Sequence, residues 1–194
     1  MKPFVTKKYL KLLVETARQR VVEVIYRYPD KEFSLSELAK EAGVAKAHIG
    51  KILDELYKIE FIEIVKLSKI WRIKANQRSW VFVKSKIIYN LNFVYQSGLV
   101  EFLDEHFNHP KSIILFGSFR KGDDLSASDI DIAIETDEAE DYSTVYLKEL
   151  SEFESTINRK IQLHLFNKKN IDLNIFNNIA NGIVLFGFLE VKPS

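Results

Sequence analysis

Two aspartates stand inside a run of isoleucines near the middle of the chain, Asp129 and Asp131 alternating with Ile130, Ile132 and Ile134. A period of two predicts a strand, in which successive side chains point to opposite faces. One face then carries Asp129, Asp131, Ala133 and Glu135, and the other is aliphatic and needs a core to cover it. At an effective dielectric near that of a protein surface, two carboxylates ~5 Å apart repel by roughly 3 kcal/mol. A shared proton, a neighbouring Lys or Arg, or a divalent cation can offset that repulsion. Acidic residues are depleted in strands, and functional sites break local rules in this way. Carboxylate oxygens without Cys or clustered His suit a hard cation, Mg²⁺ or Mn²⁺. The competing reading is a solvated sheet face that binds nothing.

What precedes the pair favours the cation. An apolar run from Ser112 to Phe116 ends at Gly117-Ser118, and a polar loop then leads to the aspartates, the whole stretch reading FGSFRKGDDLSASDIDIAI. Gly117 permits a tight turn and a close approach of backbone to ligand, and the N–H groups that follow can open a short helix whose amino end attracts phosphate. A phosphate cradle after one strand and a carboxylate pair on the next would hold a nucleoside triphosphate with its cation. Phosphoryl and nucleotidyl transfer need little beyond such positioning and charge neutralisation.

The stretch LFGSFRKGDDLSASDIDIAI resembles the signature of the DNA polymerase beta-like nucleotidyltransferase superfamily, in particular its minimal nucleotidyltransferase branch, over roughly Lys111 to Phe188. In that branch Gly-Ser is followed about a dozen residues later by Asp-x-Asp. Here Gly117-Ser118, ten residues and then Asp129-Ile130-Asp131 fill the pattern, with Gly122 and Ser128 at family Gly and Ser positions and Lys121 where the family commonly has Arg. The resemblance implies a small mixed β-sheet flanked by helices. It further implies that Asp129 and Asp131 are catalytic and hold Mg²⁺ (or Mn²⁺), and that Gly117, Ser118, Lys121 and Ser128 bind the nucleotide, expected to be ATP. Active members usually add a third carboxylate on a later strand. That strand is Lys160 to Phe166, and the third Asp would fall at Gln162. A neutral amide neither deprotonates a hydroxyl nor ligates Mg²⁺ as a carboxylate does, so this departure weighs against catalysis more than against nucleotide binding. His164 on the same face could serve as a base, although a polar side chain there is more often simply hydrogen-bonded or solvated.

Charge divides the chain. Residues 1–90 hold 19 Lys and Arg against 10 Asp and Glu, and residues 91–194 hold 9 against 17, so a net charge of +1 conceals halves of +9 and −8. Such asymmetry argues for a basic module suited to nucleic acid and an acidic one suited to metal, or for halves that dock on each other. With 194 residues, 46% of them hydrophobic, the chain can fill one large or two small domains. The lack of cysteine excludes disulfides and Cys-ligated zinc. No signal-like amino terminus and no apolar run near the ~20 residues of a membrane span are present, so a cytoplasmic protein with no membrane partner is expected.

In the basic half, apolar residues at three- and four-residue steps predict a helix over Thr6 to Tyr28, closed by Pro29-Asp30. Ser34 and Glu37 form a capping signature before a short helix that ends at Gly43. A helix from about Ala45 to Ile59 points Ile49, Ile52, Leu53 and Leu56 inward and leaves Lys46, Ala47, His48, Gly50 and Lys51 outward. Two strands, Phe61 to Lys66 and Ile70 to Lys74, then form a hairpin. Helix, three-residue turn and a second helix with a basic amino end is the helix-turn-helix plan. Phe33 to Lys74 resembles a winged helix-turn-helix domain of bacterial and archaeal regulators, with Glu60 where that family often has Gly. The resemblance implies DNA binding. Lys46, Lys51, Lys69 and Arg72 would meet phosphates, and Lys46, Ala47 and His48 would meet bases. Gly50 in mid-helix suggests close approach of another backbone. Paired half-sites make a homodimer plausible; winged helices also serve as dimerisation or docking modules.

The expected architecture is therefore mixed α/β, or α+β. A winged helix-turn-helix over residues 1–79 precedes a nucleotidyltransferase domain over residues 80–194, which has a bridging helix at about 85–107 and a core at about 111–188. The bridging helix should break or bend near Ser97-Gly98. Asp137 to Asp141 reads as a solvated helix start, and Tyr142 to Asn158 as a helix. Two functions follow. One is an enzyme moving a nucleoside monophosphate from an NTP to an unknown acceptor; related minimal nucleotidyltransferases act on proteins, including partner toxins, or on small molecules. The other is a DNA-binding regulator whose nucleotidyltransferase domain has lost catalysis and senses nucleotide, or only dimerises.

Overall fold

The computed structural model describes residues 16–67 and 70–191. The chain divides into two compact units, one up to Tyr89 and one from Asn90 onward.

In the first unit, helix α1 (Ala17–Arg27) starts at Thr16, whose hydroxyl accepts the N–H of Gln19 at 3.1 Å. The part of the expected first helix before Thr16 lies outside the described residues. Helix α2 (Leu35–Glu41) opens on a reciprocal cap. The Ser34 hydroxyl accepts from the Glu37 N–H at 3.2 Å, and the Glu37 carboxylate accepts from the Ser34 N–H at 2.8 Å. Such a cap contributes about 1 kcal/mol and fixes where the helix begins. After a turn at 43–45, helix α3 (Lys46–Lys58) buries Ile49, Leu53 and Leu56. Strands β1 (Ile62–Leu67) and β2 (Ile70–Ala75) form an antiparallel hairpin, and Phe33 bridges to Ile73 beside it. Tyr26, Phe61 and Phe82 pack with ring centroids 5.2 to 5.7 Å apart, within the range where aromatic pairs attract beyond their burial. Two details bear on the sequence reading. Glu60 takes the left-handed conformation at φ +59°, which explains why glycine suits that position. Among the described residues, nothing outside its own helix and chain neighbours comes within 4 Å of a Cβ built on Gly50, so no other described segment accounts for that glycine.

Helix α4 (Trp80–Gln96) carries the division between the units and begins earlier than the sequence suggests. It ends at Ser97-Gly98, and helix α5 (Leu99–His106) follows with Gly98 at φ +84°. Of the break or bend expected at these two residues, the structure has the break.

The second unit is built on five strands, β3 (Ser112–Phe116), β4 (Ile130–Glu135), β5 (Ser143–Val145), β6 (Ile161–Phe166) and β7 (Ile183–Gly187), in the order β5-β6-β4-β3-β7. Only the β4-β6 pairing is parallel. Between them lie helix α6 (Gly117–Lys121), a 3₁₀ turn (Lys148–Leu150), helix α7 (Ser151–Ile157) and helix α8 (Leu173–Ala180). Ile113, Leu115, Ile130, Ile132, Ile134, Ile161 and Leu163 are fully buried, and Phe102 of α5 meets Phe153 of α7 at 5.7 Å. On the aspartate-bearing face, Ala133 joins Ile114, Phe166, Ile179 and Leu189 in a second apolar cluster that includes α8. That face is therefore covered beyond Asp131, and the aspartates stand at its open end.

One expected helix is corrected. Tyr142 to Asn158 contains the edge strand β5 and a 3₁₀ turn before the short α7, and the acidic stretch 137–141 leads into that strand and starts no helix. The apolar spacing of Val145, Leu147, Leu150, Phe153 and Ile157 imitates a helical period. The β-branched Thr144 and Val145 instead pair with β6, whose outer backbone groups need partners.

Candidate functional site

The sheet register assembles the site. Phe116, the last residue of β3, pairs with Asp131, and Asp131 pairs across the parallel ladder with Gln162. Gly117 follows Phe116 at φ +72° and opens α6 directly against Asp131; a Cβ at this position would collide with the Asp131 carboxylate. Only glycine can make this turn and this approach together. The two motifs that stand ten residues apart in sequence are thus in contact.

Asp131 is half-buried and held from the side. His164, 7% exposed, lies with Nε2 3.2 Å from Asp131 Oδ1, and its Nδ1 is 2.6 Å from the Tyr142 hydroxyl. In the neutral tautomer that donates from Nε2 to Asp131, Nδ1 accepts from the Tyr142 O–H. Phe116 packs edge-on against the imidazole, centroids 4.8 Å apart. The Tyr142 phenol keeps its proton above the ordinary tyrosine range, because burial and then the charge of Asp131 disfavour the phenolate. His164 therefore orients a carboxylate, a role the sequence did not reveal.

Asp129 precedes β4 and has different neighbours. The exposed Tyr146 donates its O–H to Asp129 Oδ2 at 3.4 Å and accepts from the Gln162 side-chain amide at 2.9 Å. Burial first, then the charge of Asp129 and this hydrogen bond, raise the Tyr146 phenol above its ordinary value. Beside Asp129 opens a pocket of about 610 Å³, lined by Tyr146, Lys148, Ser151, Glu154 and Lys160 among others. Lys160 pairs with Glu154 at 2.7 Å, and that hydrogen bond with its charge holds the ammonium above its usual range.

The loop that delivers Asp129 is anchored from below. Asp124 and Arg159 form an ion pair at 3.6 Å with side chains 1% and 2% exposed. Asn90 donates to Asp124 at 2.9 Å and to the Phe119 carbonyl at 2.7 Å. These residues gave no local signal, since their partners lie 29 to 35 positions away along the chain.

The other residues expected to bind nucleotide divide. Ser118 lies in the first turn of α6, half-buried, while Lys121 ends the same helix and is exposed. Ser128 is engaged in its own loop, its hydroxyl accepting from the Leu125 N–H at 2.9 Å. Among the described residues no three His, Cys, Asp or Glu cluster as a ready-made metal cage. Two carboxylates nevertheless fit Mg²⁺, which commonly takes one or two from the protein and completes its octahedron with water and phosphate oxygens.

Of the expected DNA contacts, Lys46, Ala47, His48 and Lys51 are exposed on the first turns of α3. Arg72 pairs with Glu32 at 3.3 Å, Lys74 pairs with Glu63 at 3.0 Å and Lys66 lies 4.0 Å over the Trp71 ring. Lys69 lies outside the described residues.

Residues 98–188 match the family model described as polymerase beta, nucleotidyltransferase, just under half of the chain. The match supports the nucleotidyltransferase superfamily for that segment. No curated protein matches the chain. Among solved structures, reduced HlyU from Vibrio cholerae N16961 is similar at a TM-score of 0.30 and 14% identity, covering 50% of this chain and 83% of its own. Rv0081 from M. tuberculosis is similar at a TM-score of 0.31 and 16% identity, covering 51% and 89%. TM-scores of this size establish no common fold. No helix among the described residues is long and apolar enough to cross a membrane.

Proposed function

We propose that the second unit transfers a nucleoside monophosphate from an NTP, ATP being the expected donor, to an acceptor hydroxyl, and that the first unit is a winged helix that binds DNA. The observation that carries the first half is the contact between Gly117 and Asp131. It brings the turn where a triphosphate would lie against a carboxylate suited to its cation. Asp129 and Asp131 would hold Mg²⁺ or Mn²⁺, which when bound neutralises the phosphates and the charge developing on the leaving group. Gly117 and Ser118 would offer the backbone N–H groups at the start of α6 to phosphate oxygens. His164 keeps Asp131 from rotating away, and Tyr142 and Phe116 hold the imidazole in place. The acceptor approaches from the pocket beside Asp129.

The test is calorimetric titration with each NTP in the presence of Mg²⁺, on the wild type and on Asp129→Ala and Asp131→Ala. Cation-dependent binding that both substitutions abolish without unfolding is expected; unchanged affinity removes the site. Transfer from α-labelled NTPs to proteins and small molecules of a cell extract then identifies the acceptor, a partner toxin among the candidates.

A second reading is favoured by Gln162, which occupies the register position beside Asp131 where a third carboxylate would stand. In it the unit binds NTP without transferring it and the protein acts as a nucleotide-sensing DNA-binding regulator. Binding without label in any acceptor selects this reading.

For the first unit, the exposed basic start of α3 after a three-residue turn supports entry into the major groove. Lys46, Ala47, His48 and Lys51 would make the contacts. Arg72 joins them only by exchanging Glu32 for phosphate, an exposed pair that is cheap to break. The full chain should bind duplex DNA with a steep salt dependence, lost in a Lys46→Glu, Lys51→Glu variant.

A further inference from the structure

The hydroxyl groups around the carboxylates are not equivalent. That of Ser128 is engaged by the Leu125 N–H, and that of Tyr142 is bound to the buried His164. That of Tyr146 belongs to a side chain 57% exposed, lines the pocket beside Asp129, and points its O–H at the Asp129 carboxylate. The Gln162 amide donates to the same oxygen. A phenol oxygen has two lone pairs, so one remains for a bond to phosphorus. Gln162 is thus more than a lost carboxylate: it donates to the phenol oxygen and helps to fix it in the place an acceptor hydroxyl must take. A carboxylate at 162 could not donate in this way.

We infer that Tyr146 is itself an acceptor, and that the protein nucleotidylates its own chain at this phenol. This rests on the nucleotidyltransferase reading above and names a substrate for it. The step balances with an NTP as the co-reactant. Tyr146 Oη forms a bond to the α-phosphorus, the bond from that phosphorus to the bridging oxygen of pyrophosphate breaks, and pyrophosphate leaves with the bonding pair. The phenolic proton leaves to solvent through the open pocket that Tyr146 lines. The product is a tyrosine phosphodiester beside Asp129, which fills the pocket and blocks other acceptors until it is removed.

The experiment uses the purified full chain with each α-labelled NTP and Mg²⁺ or Mn²⁺ and no other acceptor. Label on the chain, intact mass and the modified peptide are read, and calorimetry on the same samples follows NTP binding. One nucleoside monophosphate per chain at Tyr146 is expected, lost in Tyr146→Phe, which keeps its NTP affinity, and lost in Asp129→Ala. Three results overturn the inference: Tyr146→Phe labelled as well as the wild type, label at another residue, or no label on a wild type that binds NTP with its cation. Failure to bind any NTP is a different result; it removes the nucleotidyltransfer reading, and self-modification with it.

Discussion

Asp129 and Asp131 share a chemistry and a charge, but not their surroundings. Asp131 is set against Gly117 on one side and His164 on the other, and His164 is in turn bound to Tyr142. Asp129 comes at the end of a loop, meets an exposed phenol and borders an open pocket. A group fixed by buried partners costs little reorganisation when a ligand arrives, whereas a group among exposed partners can exchange them. The pair therefore has a fixed member set against Gly117 and an adjustable member beside the open pocket.

The largest effect expected on this division comes from its foundation. Arg159→Ala removes the cation beside the buried Asp124 and should cost about 3–5 kcal/mol in denaturant unfolding, disturbing the Asp129 loop. Next, Gly117→Ala places a methyl group in the Asp131 carboxylate at a left-handed φ. It should cost roughly 2–3 kcal/mol and abolish NTP binding; a variant that binds normally would show that the Gly117–Asp131 contact does not matter. His164→Ala should cost about 1–2 kcal/mol and weaken cation-dependent NTP binding. Tyr146→Phe, on the exposed side, should stay within about 0.5 kcal/mol of the wild type. Equal losses from these last two would erase the contrast between a fixed and an adjustable aspartate. The smallest effect is on alkaline stability. Tyr142 holds its proton in the folded chain above the ordinary value of 10.0. The unfolded chain thus loses that proton first, and stability falls as pH rises from about 10 towards the folded value. Tyr142→Phe should flatten that fall, read as denaturant midpoint against pH.

How much of this was legible in the sequence depended on distance along the chain. The reciprocal cap of Ser34 and Glu37, the break at Ser97-Gly98, the strand bearing the aspartates and the fold-back at Gly117 all arise within a few residues, where local stereochemistry decides. His164 could be named but not understood, because its partner Tyr142 lies 22 residues away on a segment whose apolar spacing imitates a helix. That segment became an edge strand because β6 needed a neighbour, a requirement set by the sheet and not by the segment. The network of Asn90, Asp124 and Arg159 joins residues with no common pattern at all, and only packing shows that Asp124 differs from the acid next to it.

The parallel register of β4 and β6 places position 162 beside Asp131 regardless of which residue fills it. Aliphatic residues buried on the opposite face hold that register, because a slip by one residue would turn them outward. A carboxylate trio and the present arrangement are thus adjacent points in sequence space, separated by Gln162→Asp and by whatever Tyr146 does in response. The scaffold need not be rebuilt to move between them in either direction, because one side chain at position 162 decides whether a carboxylate stands beside Asp131.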